Sequence, residues 1–459
     1  MCKKLAVPTT TNQGVIPMVL QKNDTKIEYI HAGTGLLSKT RVVKNPIWRN
    51  ILTFLMVFGP GLIVMEADND AGAVSTYTQA GAQYGMKVLW LMLLLLPITY
   101  FCQEMVVRLG IATGKGHATM IYKRFGKWWG MFSLFDLELL NFLTLVTEFA
   151  AISLAFGMFG VSPYISVPVS AIALIVLVIT GSYLRWEHVT IFLCLLDIAW
   201  IIFILIVHPN AGAVVRNTII PSIPKGGITY DYIFMVIAII GTTVAPWQLF
   251  FQQSCIADKK LRFKDLKWAR LDTFIGAVFT VVVAGCMMLV GNVLYQHHLP
   301  YIDPAQMAKV LGPIAGNFVK YGVLLLMVNA AVLGTTAISL SSSWAYCEVR
   351  GWEHSLHKGL HDAPGFYGVY IGAVLLAAAI VLIPKAPLQL IILSVQVLAG
   401  LMLPSAIIFL QLLLNDKELL GAKFANKRWN NWINWTVIIL LFILSTILAV
   451  QVMLPNLFS

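Results

Sequence analysis

The chain has 459 residues, of which 58% are hydrophobic and only 12% charged, and its mean hydropathy is +0.79. Soluble domains carry about a quarter charged residues, so this composition excludes an ordinary soluble enzyme or binding module and indicates a polytopic membrane protein. The net charge of +11 raises nucleic acid as a partner, but the basic residues sort by membrane side, which argues for topology and against nucleic acid.

In chain order, residues 1–49 form a polar, mostly basic tail with no short apolar core. This predicts a partly disordered cytoplasmic segment rather than a cleaved signal peptide. Apolar runs of about twenty residues, enough to cross a hydrocarbon core of roughly 30 Å, then recur along the chain. There are eleven, near 50–79, 88–110, 129–159, 163–183, 189–207, 230–255, 272–296, 317–346, 366–384, 388–414 and 432–454. If the N-terminus is inside and the spans alternate, only Lys87, Arg216, Lys225, Lys309, Lys320 and Lys385 fall outside, leaving 26 of the 32 Lys and Arg (32 less 6) in the cytoplasm. An odd span count places Ser459 outside, and the expected location is the plasma membrane. The longest connections are about twenty residues, so function must reside in or beside the lipid bilayer. The six cysteines are dispersed without a C-x-x-C pair and read as small core residues.

Two spans carry helix-breaking residues at their centres. The first reads "LTFLMVFGPGLIVMEADNDAGAVSTYTQAGAQYG", with Gly59, Pro60 and Gly61 early and Glu66, Asp68 and Asp70 in the middle. The sixth reads "YIFMVIAIIGTTVAPWQLFFQQSC", with Gly241, Thr242, Thr243 and Pro246 at its centre. Pro246 has no amide hydrogen to donate and disfavours helix at Ala245. Breaks in the first and sixth spans are the pattern expected if spans 1–5 (50–207) and 6–10 (230–414) are inverted repeats, with 432–454 an additional span. Interrupted segments at corresponding places in two halves point to a transporter's binding site near the midplane.

The wording "GPGLIVMEADNDAGAVSTYTQAGAQYG", followed by "KVLWLMLLLLPITYFCQEMVVRLGIATGK", resembles the Nramp family of divalent metal-ion transporters, whose first span carries G-P-G, D-P-G-N and Q-A-G-A. The family's sixth-span M-P-H falls on "VAPWQLFFQQS", with weaker similarity at "RLD" (270–272) and "SVQVLAGLMLPSAIIFLQLLLND" (394–416). The resemblance implies an all-α polytopic membrane protein of leucine-transporter type with eleven transmembrane helices, broken in spans 1 and 6, acting as a monomer and not as an enzyme. It puts the D-P-G-N aspartate on Asp70 and its asparagine on Ala73. The methionine of M-P-H becomes Ala245, the histidine Trp247, and a second histidine Gln252. By the same resemblance, ion-coordinating carbonyls belong to Ala67 and Thr242, the span-ten glutamine is Gln396, and Glu148 stands where the family has an acid in span three.

The departures bear on selectivity. A thioether favours transition metals, whereas Mg²⁺ and Ca²⁺ prefer oxygen. With Ala73 and Ala245 in place of two ligands, the expected cargo is largely hydrated Mg²⁺ in a roomy pocket, with Mn²⁺ a further substrate and no cofactor. This matches the Nramp-related magnesium transporters, which lack the same two ligands. Trp247 and Gln252 do not titrate, span nine lacks Arg and His, and Ala151 replaces a second span-three acid, so uncoupled or weakly coupled uptake is expected. The alternative is a proton-coupled Mn²⁺ or Fe²⁺ transporter on the same fold. Continued helix would set Glu66 one turn from Asp70 on one face, acting on the ion through water, with Asp68 pointing elsewhere along the pathway. Asp136, Glu138 and Asp197 are read as structural acids, and Trp247 as packing bulk or cavity wall. An amino-acid symporter is disfavoured because the acidic cluster would repel a substrate carboxylate, and no H-E-x-x-H or G-x-S-x-G motif suggests a membrane enzyme.

Overall fold

The structure, a computed structural model, describes residues 46–453 apart from 180–181, 225–226 and 384–386. Most of the expected tail (1–45) and the C-terminal residue lie outside the described residues. Within them every regular element is a helix. The first half comprises α1 (Pro46–Val57), α2 (Pro60–Ala67), α3 (Ala71–Tyr84), α4 (Trp90–Thr113), α5 (His117–Phe125), α6 (Lys127–Gly157), α7 (Pro163–Ile179), α8 (Tyr183–Leu196), α9 (Ile198–Val207) and α10 (Ala211–Ile219). The second comprises α11 (Tyr230–Thr243), α12 (Pro246–Asp258), α13 (Leu266–Gln296), α14 (Pro304–Ala315), α15 (Asn317–Arg350), α16 (Pro364–Val381), α17 (Leu388–Asn415), α18 (Lys417–Phe424) and α19 (Arg428–Met453).

Every expected span coincides with a helix or a broken helix. By length and hydropathy, however, eight helices among the described residues qualify as spans, or nine if the bent α1–α2 pair counts as one. The expected count of eleven is therefore not established, because α7 has only 17 residues and α19 is described only in part. The exterior is apolar, with Phe135, Val169, Ile172, Leu205, Leu376 and Phe442 exposed, as a surface facing lipid requires. The polar and charged residues central to the fold are inside.

The first break has local causes. Gly59 adopts φ 136°, a conformation that L side chains rarely take, and Pro60 starts α2 at the position that lacks an intrahelical amide partner. The helix ends thus exposed are capped from a distance. Asp272 Oδ2 accepts from the Gly61 amide at 2.7 Å and its Oδ1 from Leu62 at 3.2 Å, while Lys259 Nζ donates to the carbonyls of Val57 (3.3 Å) and Phe58 (2.9 Å). Lys259 also pairs with Glu187 at 2.6 Å in a buried bridge. An anion at a helix start and a cation at a helix end match the helix dipole, so α8, α12 and α13 together hold the α1–α2 joint. The glycines Gly61, Gly81, Gly276 and Gly291 let α13 run in close backbone contact with α2 and α3.

Candidate metal site at the two helix breaks

Helix α2 stops at Ala67, and α3 starts after Asp70, which is in an extended conformation. Asp70 serves as the N-cap of α3, with Oδ1 accepting from the Ala73 amide at 2.8 Å. On the other side α11 stops at Thr243 and α12 starts after Ala245, also extended, with no side-chain cap. The closing turns of α2 and α11 leave carbonyls without intrahelical partners, and Ala67 and Thr242 belong to those turns. The Tyr77 and Thr243 hydroxyls, 2.8 Å apart, tie α3 to α11.

Glu148 on α6 reaches the same break, where its Oε2 accepts from the Ala71 amide at 3.1 Å. Gln396 on α17 joins the two breaks. A Cβ on Gly72 would lie 1.7 Å from its side-chain nitrogen, and one on Gly241 would lie 2.1 Å from its carbonyl oxygen. Gly334 on α15 closes the remaining side, since a Cβ there would lie 2.8 Å from Asp70 Cβ and 2.9 Å from Glu148 Oε2. The sequence carried no motif that marks Gly334. Substituting Gly334→Ala is therefore expected to push both carboxylates apart at an overpacking cost of about 1–3 kcal/mol. Ion uptake by the purified variant should fall at least tenfold while its helix content by circular dichroism is retained.

The buried polar atoms without a hydrogen-bond partner include four that surround Asp70: Asp68 Oδ2, Glu148 Oε1, Thr242 Oγ1 and Gln396 Nε2. Buried polar atoms in folded proteins are rarely left so, and three of these four are oxygens able to face a cation or its water. All donors grouped here are carboxylate, amide, hydroxyl or carbonyl groups. Among the described residues no three His, Cys, Asp or Glu side chains converge to hold a bare metal ion.

Two expectations change. Because α2 ends at Ala67, the helix does not continue to Asp70, and Glu66 is not stacked one turn below it. Glu66 instead turns toward α13 and accepts from Thr280 Oγ1 at 2.8 Å, while Asp68 is near Asp70 and lies beside Gln248 of α12. Asp68, not Glu66, thus shares the break with Asp70. The region is also closely packed rather than roomy, because Gly72, Gly241 and Gly334 let α15 and α17 close onto it despite the two small side chains at Ala73 and Ala245. Trp247 and Gln252 make other contacts: Gln252 Nε2 donates to Thr273 Oγ1 at 2.9 Å, and the Trp247 ring packs on Phe251 at 6.1 Å.

Phe251 in turn packs on Trp344 at 5.6 Å and Trp186 at 6.2 Å, and Trp344 on Phe366 at 5.8 Å. Trp344 follows Gly334 by ten residues on α15, or roughly 15 Å at 1.5 Å per residue. These fully buried rings form an aromatic layer on one side of the breaks. Of the acids read as structural, Asp136 accepts from the Ser405 hydroxyl at 2.5 Å, whereas Asp197 meets Asn329 and Glu66 rather than a hydroxyl or a basic residue. The five described cysteines are free and buried.

Comparison with known proteins extends this picture. The chain is 26% identical over 427 residues to a protein named divalent metal cation transporter MntH from Staphylococcus aureus (strain bovine RF122 / ET3-1), covering 87% of this chain and 91% of the relative. The corresponding protein of Staphylococcus aureus strain Newman is also 26% identical, with the same coverage. Among solved structures, a manganese transporter of Eremococcus coleocola in complex with an aromatic bis-isothiourea substituted compound superimposes with a TM-score of 0.72, at 19% identity over 92% of this chain and 90% of that one. MhsT in complex with L-phenylalanine superimposes at 0.59, with 14% identity over 86% of this chain and 98% of that one. These likenesses fix the architecture as the leucine-transporter-type fold with two broken helices. The family model described as natural resistance-associated macrophage protein-like, Nramp, matches residues 61–451. On that match, which takes in both breaks, this multi-pass membrane protein belongs to the Nramp family.

Proposed function

We propose that the protein carries divalent metal ions across the membrane by alternating access, with Asp70 as the anchoring ligand. The observation that carries this reading is the set of unpartnered buried oxygens around Asp70 at two facing helix breaks. Carboxylates in a membrane interior are costly unless a cation or proton compensates them. Glu148, Asp68, Gln396 and the carbonyls of Ala67 and Thr242 complete the proposed surround, with Ala73 and Ala245 marking places where no ligand side chain reaches in.

For the cargo, the oxygen-only donor set supports hard ions, with Mg²⁺ carried alongside Mn²⁺. A hydrated ion needs more room than the closed packing provides, and parting of α15 and α17 from the break is the motion required. Movement down a membrane potential of 100 mV gives a divalent ion about 4.6 kcal/mol, twice the 2.3 for a single charge, so accumulation needs no coupled proton. The names of the relatives favour a second reading, proton-coupled transport of Mn²⁺. One measurement separates the two: uptake of Mg²⁺ and Mn²⁺ into proteoliposomes carrying an internal pH dye. Mg²⁺ uptake without acidification is the expected result, and Mn²⁺-only uptake with acidification establishes the second reading instead.

A further inference from the structure

A second group of buried oxygens, centred on Glu66 and Asp197, has no role in the site just described. The Glu66 and Asp197 carboxyl groups, exposed by 0% and 1%, lie within hydrogen-bonding reach of each other. Asp197 sits at the joint of α8 and α9, in the middle of a span. Glu66 Oε1 accepts from Thr280 Oγ1 at 2.8 Å, and its Oε2 from Asn69 Nδ2 at 3.3 Å. Asp197 Oδ1 accepts from Asn329 Nδ2 at 3.2 Å. Three further buried oxygens of the group, Asp197 Oδ2, Asn69 Oδ1 and Asn329 Oδ1, have no partner.

We propose that Glu66 and Asp197, with the amide oxygens of Asn69 and Asn329 and the hydroxyl of Thr280, form a second binding site for a hard divalent cation. Two buried carboxyl groups this close, with no Lys or Arg bonded to either among the described residues, do not both stay ionised without a compensating charge. The two charges of one divalent ion cancel theirs. A single shared proton would relieve the repulsion but leave the unpartnered amide oxygens as they are. The cluster offers only oxygen, which suits a hard ion bound by six or more oxygen ligands. Asn329 precedes Gly334 by five residues on α15, about 7.5 Å along the helix, so the second site neighbours Asp70 across the broken span. Two adjacent stations let an entering ion weaken its predecessor's hold, as in multi-site conduction. This inference rests on the proposed metal transport for its choice of ion.

The test is equilibrium titration of the purified, metal-free full chain with Mn²⁺, with free ion read by electron paramagnetic resonance. The wild type is expected to bind two Mn²⁺, Asp197→Asn one, Asp70→Asn one, and the double variant none, with Mg²⁺ competing at both sites. In Asn329→Asp, which adds a carboxylate at nearly constant size, the second site is expected to tighten at least tenfold, which guards against misfolding of Asp197→Asn as the cause of a loss. One bound Mn²⁺ in the wild type, lost in Asp70→Asn and kept in Asp197→Asn, overturns the second site and leaves the Asp70 reading standing. One bound Mn²⁺ lost in Asp197→Asn but kept in Asp70→Asn supports the second site and overturns the Asp70 reading. No binding in the wild type overturns both.

Discussion

Asp70→Asn is expected to lower divalent-ion uptake by at least about 100-fold while leaving the fold intact, because outer-shell partners of bound metals already cost 10–100-fold when lost. The choice of asparagine follows from the geometry. Asp70 does two jobs: it caps α3 through the Ala73 amide, and it presents a carboxylate at the break. Asparagine is as good a cap as aspartate, so Asp70→Asn removes the charge alone. Asp70→Ala removes both, and should lose about 1 kcal/mol of stability in addition to uptake. Thermal unfolding in detergent separates the effects: Asp70→Asn should melt with the wild type and Asp70→Ala below it. Wild-type uptake by Asp70→Asn would show that the carboxylate is not the ion's anchor.

Much of this site was legible in the sequence, and its limits have physical causes. Pro246 marks the break between α11 and α12 and Gly59 to Gly61 mark the α1–α2 joint because these residues act on the backbone locally, whereas the break between α2 and α3 carries no proline or glycine and was legible only through the acidic stretch and its motif. Asp70 was legible through its motif. What the sequence could not convey was the direction of side chains beyond a break. Helical periodicity put Glu66 on the face of Asp70, but periodicity holds only while the helix continues, and α2 ends one residue after Glu66. The partners of Asp197 lie on α2 and α15, 131 and 132 residues away, and nothing local signals such pairing. The same holds for Gly334, whose role is the absence of a side chain where Asp70 and Glu148 approach. The expected roominess failed for a related reason: the volume left by Ala73 and Ala245 depends on neighbouring helices, and the glycines on those helices let them close in.

The larger selectivity effect is expected from the pair of substitutions Ala73→Asn and Ala245→Met. Ala245 is the N-cap of α12 and Ala73 lies in the first turn of α3, so both positions flank the gap between the broken helices. Methionine at 245 adds a polarizable thioether, which binds Mn²⁺ better than Mg²⁺ because the latter prefers oxygen and gives up water reluctantly. Asparagine at 73 adds a side-chain oxygen that helps replace the water lost. Together they should raise the preference for Mn²⁺ over Mg²⁺ on the order of tenfold, about 1.4 kcal/mol of differential binding. Neither residue is free of steric demand, since Ala73 is fully buried and Ala245 nearly so. The added atoms therefore need the room that opens when α15 and α17 part from the break. The single variants resolve the contributions: Ala245→Met alone should shift selectivity chiefly by weakening Mg²⁺ uptake, and Ala73→Asn alone should change both ions in the same direction. Competition uptake with the two ions at equal concentration reads the ratio directly. An unchanged ratio in the double variant would mean that the ion does not pass between Ala73 and Ala245, and the hard-ion reading of this site would fall with it.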